Sequence, residues 1–131
     1  MNYSDYFQNK VIWITGASSG IGEELAIQLA RAGAKLILSG RNEEKLHDIQ
    51  EKMENHNQHY VAPFDLANPS NLSELTSEIL DFYERIDILI NNGGVSQRAS
   101  ANDTTMEVNR QLMEVNFFGN IALAKAVLPI F

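Results

Sequence analysis

An apolar run, Val11-Ile12-Trp13-Ile14, passes without interruption into Thr15-Gly16-Ala17-Ser18-Ser19-Gly20-Ile21-Gly22, and that turn opens onto Ile21, Leu25, Leu29 and Ala32 at helical spacing. A strand that enters a helix through such a turn is followed by a strand running parallel to it, because the helix carries the chain back. The rest of the chain repeats the alternation. Strands are read at Lys10 to Thr15, Lys35 to Ser39, His59 to Phe64 and Ile86 to Asn91. Gly33 stands where the first helix stops. Leu46, Ile49 and Met53 form a second helical face, with Asn42 as N-cap and Glu43 and Glu44 in the first turn, where the helix dipole favours acids. Leu72, Leu75, Ile79 and Phe82 form a third, opened by Asn68 as cap and Pro69 at the first helical position. A last helix is predicted from Thr104, paired with Glu107 as a capping box, to about Leu128 before Pro129. From Leu112 onward it is apolar around most of its circumference, which predicts burial on two sides.

Several classes of function are excluded early. The 131 residues, 44% of them hydrophobic, suffice for one domain with its own core. A net charge of -7 opposes nucleic acid or an anionic membrane as the main partner, so an anionic ligand has to be held by local groups. Without cysteine there is no disulfide, thiolate nucleophile or Cys-ligated metal. Residues Met1 to Lys10 carry neither a signal peptide pattern nor a bilayer-spanning stretch, which makes the cytoplasm the expected location. His47, His56 and His59 fall in a helix, at its end and at a strand start, where solvated rings are expected and no metal set is formed.

The glycine-rich turn has a physical use. Glycines let a backbone approach a diphosphate, and the free N–H groups of the helix start offer hydrogen bonds and partial positive charge. The same glycines also serve a tight turn with no ligand. The spacing Gly-x-x-x-Gly-x-Gly is not followed by Lys-Ser or Lys-Thr, so it is not a nucleoside triphosphatase loop. The one sizeable irregular stretch, Gly93 to Asp103, follows the fourth strand, and loops after strand carboxyl ends are where such folds build sites.

Four segments, "TGASSGIG", "FDLANPS", "IDILINNGG" and "EVNFFGN", occur in an order and at separations that resemble the short-chain dehydrogenase/reductase family over essentially the whole chain. The resemblance implies a Rossmann-type parallel sheet of strand order 3-2-1-4 flanked by helices. It implies a diphosphate site over Gly16, Ser18, Ser19, Gly20, Ile21 and Gly22. Asp65, followed by Leu66, is implied to bond the adenine amino group, and Asn91 and Gly93 to line the adenosine ribose side. Asn116 falls at the family's catalytic Asn, which holds a water in a proton relay. One departure stands out: the family's Asn-Asn-Ala-Gly is Asn91-Asn92-Gly93-Gly94 here, which frees the backbone without removing a functional side chain. Alone, Asp65 would read as a turn residue, and a mid-helix Asn as one bonded to nearby backbone.

Cofactor choice turns on Arg41. An NAD-selective site carries an acid at the end of the second strand, and Ser39, Gly40 and Arg41 supply none. A guanidinium there suits the 2′-phosphate of NADP(H) through forked, charge-assisted hydrogen bonds, so NADP(H) is preferred over NAD(H). The bland alternative is a solvated surface Arg. The acid's absence also weighs against a methyltransferase on a similar sheet.

The family's Ser and its Tyr-x-x-x-Lys pair come after the catalytic Asn, and none of the three stands between Asn116 and Phe131. Tyr6 and Lys10 have that spacing but precede the first strand, about 17–20 Å from the cofactor end of a strand of ordinary length. The chain therefore reads as the cofactor-binding half of an oxidoreductase that moves hydride between nicotinamide and a carbonyl or secondary alcohol. A non-catalytic NADP(H)-binding module is the alternative. The unpaired fourth strand and the last helix predict self-association into a homo-oligomer.

Overall fold

A computed structural model of the chain describes residues 3–95 and 99–131. Four parallel strands, β1 (Val11–Thr15), β2 (Lys35–Ser39), β3 (Tyr60–Val61) and β4 (Ile88–Ile90), form one sheet in the order β3-β2-β1-β4, the order the family resemblance implies. Helices α1 (Tyr3–Phe7), α2 (Gly20–Arg31), α3 (Glu43–Lys52), α4 (Leu72–Tyr83), α5 (Met106–Met113) and α6 (Asn120–Val127) surround it. Strand side chains alternate between faces, and both faces are covered. Ile12, Ile14, Leu36 and Leu38 pack with Ala26 and Leu29 of α2 and with Leu46 and Ile49 of α3. Val11, Trp13 and Ile37 pack with Leu72, Leu75 and Ile79 of α4 and with Leu123 and Val127 of α6. This two-sided burial is why β1 and β2 read as unbroken apolar runs.

Local signals hold where the chemistry is local. Asn42 caps α3 by accepting from the Lys45 N–H at 3.1 Å, and α2 ends at Gly33 with φ +87°. Two caps differ from expectation. The side chain of Thr105, not Thr104, accepts from the Val108 N–H, and Thr104 instead donates its hydroxyl to the Ser100 carbonyl. Val108 stands where a capping box needs Glu or Gln, so no box forms. Asn68 spends its Oδ1 on the Ser70 hydroxyl, and a 3-10 turn over Pro69–Asn71 precedes α4. Ile21 and Phe82, read as core positions, are 73% and 51% exposed. Ile21 falls in the first turn of α2, and Phe82 lies against Tyr60 and Tyr83.

The outer strands are shorter than their apolar runs. β3 pairs formally only at Tyr60 and Val61, yet Ala62 and Phe64 still donate backbone hydrogen bonds to Leu38 and Gly40. Pro63 lies between them, and its missing N–H falls on the open side of this edge strand. His59, expected in solvent, is buried at 3% exposure. Its Nδ1 accepts from the Leu36 N–H at 3.0 Å, so Nε2 carries the proton and donates to the Glu54 carbonyl at 2.8 Å. The ring thus takes the place of a further ladder bond to β2. Burial holds its pKa below the ordinary value, the Glu54 hydrogen bond opposes that shift, and His56 adds to it. On the other side of the sheet, Ile86 is buried ahead of β4, and Asp87 accepts from the Val11 N–H at 2.8 Å while Arg85 holds its other oxygen.

The last helical run is interrupted. Between α5 and α6, residues Glu114–Gly119 wind as a π-type turn. Val115, Gly119, Leu123 and Val127 form its single buried stripe. Met113, Phe117, Phe118, Ile121 and Leu128 lie 39–63% exposed, so within this chain the run is covered on one side rather than the two predicted. No helix among the described residues is long and apolar enough to cross a membrane.

Candidate functional site

Because all four strands run parallel, their carboxyl ends share one edge, and a cavity opens there. Thr15, Gly16, Ser18 and Ser19 come from the turn after β1, and Ser39, Gly40 and Arg41 from the end of β2. Phe64, Asp65 and Leu66 follow β3, while Gly93, Gly94 and Val95 follow β4, with Val115 entering from the π-type turn. Of the positions singled out in the sequence, Gly16, Ser18, Ser19, Arg41, Asp65, Leu66 and Gly93 line this space. Gly20, Ile21, Gly22, Asn91 and Asn116 are not among the residues that line it.

The turn after β1 is shaped by close approach. A Cβ on Gly22 would overlap the Gly16 carbonyl oxygen, so this glycine lets the first turn of α2 settle onto the loop. Gly20 differs: its φ is +58°, and no atom of the described residues lies within 4 Å of where a Cβ would point. Ser19 precedes α2 without a side-chain cap bond. Among the described residues no side chain caps the first N–H groups of this 12-residue helix, and Gly20 stands exposed at its start.

A buried hydroxyl joins this turn to the loop after β4. Thr15, 1% exposed, accepts at Oγ1 from the Asn92 N–H at 3.1 Å and the Gly93 N–H at 2.8 Å. The Asn92 side chain donates to the Gly16 carbonyl at 3.3 Å. Neither contact was legible in the sequence, since a Thr ending a strand reads only as a β-former. Gly93 stands where a Cβ would meet Leu66 Cδ1 at 2.7 Å, so the departure from the family's Ala leaves room that Leu66 uses.

Asp65 makes the turn that its bland reading required, with Oδ1 accepting from the Ala67 N–H at 2.9 Å. It nonetheless lines the cavity and is exposed, and no partner of its second oxygen is found among the described residues. Arg41 is exposed on the rim, and no ion pair engages its guanidinium among the described residues. Asn116 clamps the wall: Oδ1 accepts from the Val95 N–H and Nδ2 donates to the Val95 carbonyl, both at 2.8 Å. Gly119 was missed in the sequence. A Cβ there would overlap the Leu66 carbonyl oxygen, so the π-type turn rests directly on the chain that carries Asp65 and Leu66.

The sequence-matched decoy resolves without chemistry. Tyr6 sits in α1 and Lys10 lies 5.7 Å over its ring, at the amino end of β1 and away from the cavity. Among the described residues, no cluster of three metal-ligating side chains occurs.

A family model described as short chain dehydrogenase matches residues 10–131. Among curated relatives, dehydrogenase/reductase SDR family member 7B of Mus musculus is 42% identical over 129 residues, which cover 95% of this chain and 40% of that protein. Member 7 of Homo sapiens is 45% identical over 124 residues, covering 91% of this chain and 37% of that protein. The chain thus spans about two-fifths of the length of these relatives. Among solved structures, an oxidoreductase, yciK, from E. coli is similar with a TM-score of 0.91 at 32% identity, covering 99% of this chain and 55% of that one. A short chain dehydrogenase from Escherichia coli CFT073 complexed with NADPH is similar with a TM-score of 0.88 at 32% identity, covering 98% of this chain and 56% of that one.

Proposed function

Since the chain belongs to the short-chain dehydrogenase family, we propose that its residues form the NADP(H)-binding half of an oxidoreductase acting on a small-molecule carbonyl or secondary alcohol. The observation that carries this reading is Arg41 on the cavity rim, at the end of a β2 that supplies no acid and with no ion pair to the guanidinium among the described residues. The fit is supported by Gly20 in the turn after β1, whose positive φ and lack of neighbours among the described residues leave space beside the start of α2. Bound NADP(H) supplies the hydride chemistry of the family.

The chain's own residues divide the work of holding it. The turn from Gly16 to Gly22 presents backbone N–H groups to a diphosphate, with Ser18 and Ser19 on the cavity wall. Arg41 grips a 2′-phosphate through a fork that an ammonium could not reproduce. Asp65 takes an adenine amino group on the oxygen its turn leaves spare, beside Leu66. Asn91 and Gly93 carry the loop on the adenosine ribose side. Asn116 fixes Val95, and each atom of its amide keeps one hydrogen-bonding position spare for a relay water. No Tyr-x-x-x-Lys pair stands between Asn116 and Phe131.

Calorimetric titration with NADPH and NADH tests this reading. NADPH binds more tightly by one charge-assisted contact, roughly 1.5–3 kcal/mol or about tenfold to a hundredfold. Arg41→Asp reverses the order by repelling the phosphate and accepting from the ribose hydroxyls. Equal affinities in the unmodified chain overturn the assignment of NADP(H).

A further inference from the structure

We propose that Ser39 is a positioning residue that sets cofactor preference by fixing the turn that carries Arg41, through a hydrogen-bond chain that begins at Trp13. The proposal rests on the NADP(H) reading above. Ser39 is completely buried although its residue lines the cavity, and so is Trp13, the single tryptophan of the chain. The Trp13 indole N–H donates to Ser39 Oγ at 2.8 Å, and the Ser39 hydroxyl donates in turn to the Ala62 carbonyl at 2.6 Å. Three adjacent chain segments are thus tied side to side within the core, beyond the regular ladder.

The backbone at the same point is held as firmly. The Ser39 carbonyl accepts from the Ala17 N–H at 3.0 Å, and the Gly40 carbonyl accepts from the Phe64 N–H at 3.1 Å. Two consecutive residues therefore meet β1, the glycine-rich turn and the segment after β3, and Arg41 is the next residue. Its backbone leaves the protein from a point fixed on three sides.

Hydroxyl accounting separates this role from ligand binding. A serine offers one donor and two acceptor positions, and here the donor is committed to Ala62. Turning it toward a ribose or phosphate would strand a buried carbonyl, at a cost exceeding the bond gained. One acceptor position takes the Trp13 N–H, and the complete burial of Ser39 closes the other to a ligand, so Ser39 acts on the cofactor through Arg41. An apolar pair would fill the same core without buried polar atoms, whereas a fully satisfied polar chain fixes one geometry.

The test is calorimetric titration of the 131-residue chain with NADPH and with NADH, alongside thermal melting. Ser39→Ala and Trp13→Phe each lower the NADPH-to-NADH affinity ratio by about twofold to tenfold, the effect of one lost hydrogen bond on the geometry of a charged contact. In an Arg41→Ala background neither variant changes the ratio further, because the residue through which they act is gone. Trp13→Phe keeps an aromatic ring in the core and leaves the Ser39 to Ala62 bond in place, so it reports even where Ser39→Ala does not fold. A ratio that stays constant while the melting temperature falls, an equal loss in the Arg41→Ala background, or failure of both variants to fold assigns the chain to stability alone and overturns the proposal. Equal binding of NADPH and NADH by the unmodified chain overturns the proposed function itself, and is seen before any variant is made.

Discussion

At Gly20 two requirements coincide, and they separate under mutation. The backbone has φ +58°, which costs an L side chain roughly 1–2 kcal/mol. The space beyond is open among the described residues, none of whose atoms lies within 4 Å of a Cβ. Gly20→Val is consequently expected to lose about that much stability, with the fold kept, and to lose NADPH binding altogether if the proposed diphosphate site is right, because the side chain would fill it. Circular dichroism melts and calorimetry measure the two effects, and retained binding would move the phosphate site elsewhere. That glycines in this turn serve the backbone was legible in the sequence from their place between strand and helix, while the ligand they would meet followed only from the resemblance. Thr15, Ser39 and Gly119 were not legible, because what they do depends on partners dozens of residues away. For the same reason the sequence offered Asn116 two readings, and the Val95 clamp exists alongside the relay role the resemblance implies.

Elements behave similarly. The alternation of layers was legible because two-sided burial writes unbroken apolar runs into β1 and β2, whereas the strand order followed from the family resemblance. The π-type turn was not legible, since its cause is tertiary: Gly119 against Leu66 and Asn116 against Val95. β3 carries the largest misreading, because a polar residue opening a strand looks solvated while His59 is in fact bonded at both ring nitrogens. That arrangement makes the edge of the sheet sensitive to acid. Protonating Nδ1 destroys the bond from the Leu36 N–H, and burial holds the folded pKa below the ordinary 6.5. The unfolded chain therefore binds the extra proton first, and stability rises with pH between the folded value and 6.5. The contribution is fully present above pH 6.5, declines as pH falls below it, and levels off once the folded value is passed. Denaturant midpoints from pH 8 to pH 5 record this slope. His59→Gln, which keeps an acceptor and a donor without titrating, flattens it, and an unchanged slope in that variant would assign the acid sensitivity to other groups.

For the molecule as a whole, the decisive property is surface that the chain does not cover. The helical run through α5 and α6 buries only the stripe of Val115, Gly119, Leu123 and Val127. Phe117 and Phe118 stack edge to face at 5.2 Å between centroids on its open side, with Met113, Ile121 and Leu128 also exposed. β4 adds an edge strand whose outer side is unpaired among the described residues. Fully burying one such aromatic side chain is worth about 1.5–3 kcal/mol, so an apolar surface of this kind drives association at modest concentrations. The chain alone is expected to self-associate, and to turn over no ketone or aldehyde with NADPH, because a hydride site without a tuned proton donor leaves the developing alkoxide unprotonated. Light scattering over a dilution series follows the first expectation. Phe118→Glu weakens association by about tenfold to a hundredfold if the helical face carries it, since a charge replaces the buried ring. The same variant leaves association unchanged if the β4 edge carries it. NADPH oxidation across a carbonyl panel follows the second expectation, and a monomer with measurable turnover would falsify both, since it would place the proton donor within these 131 residues.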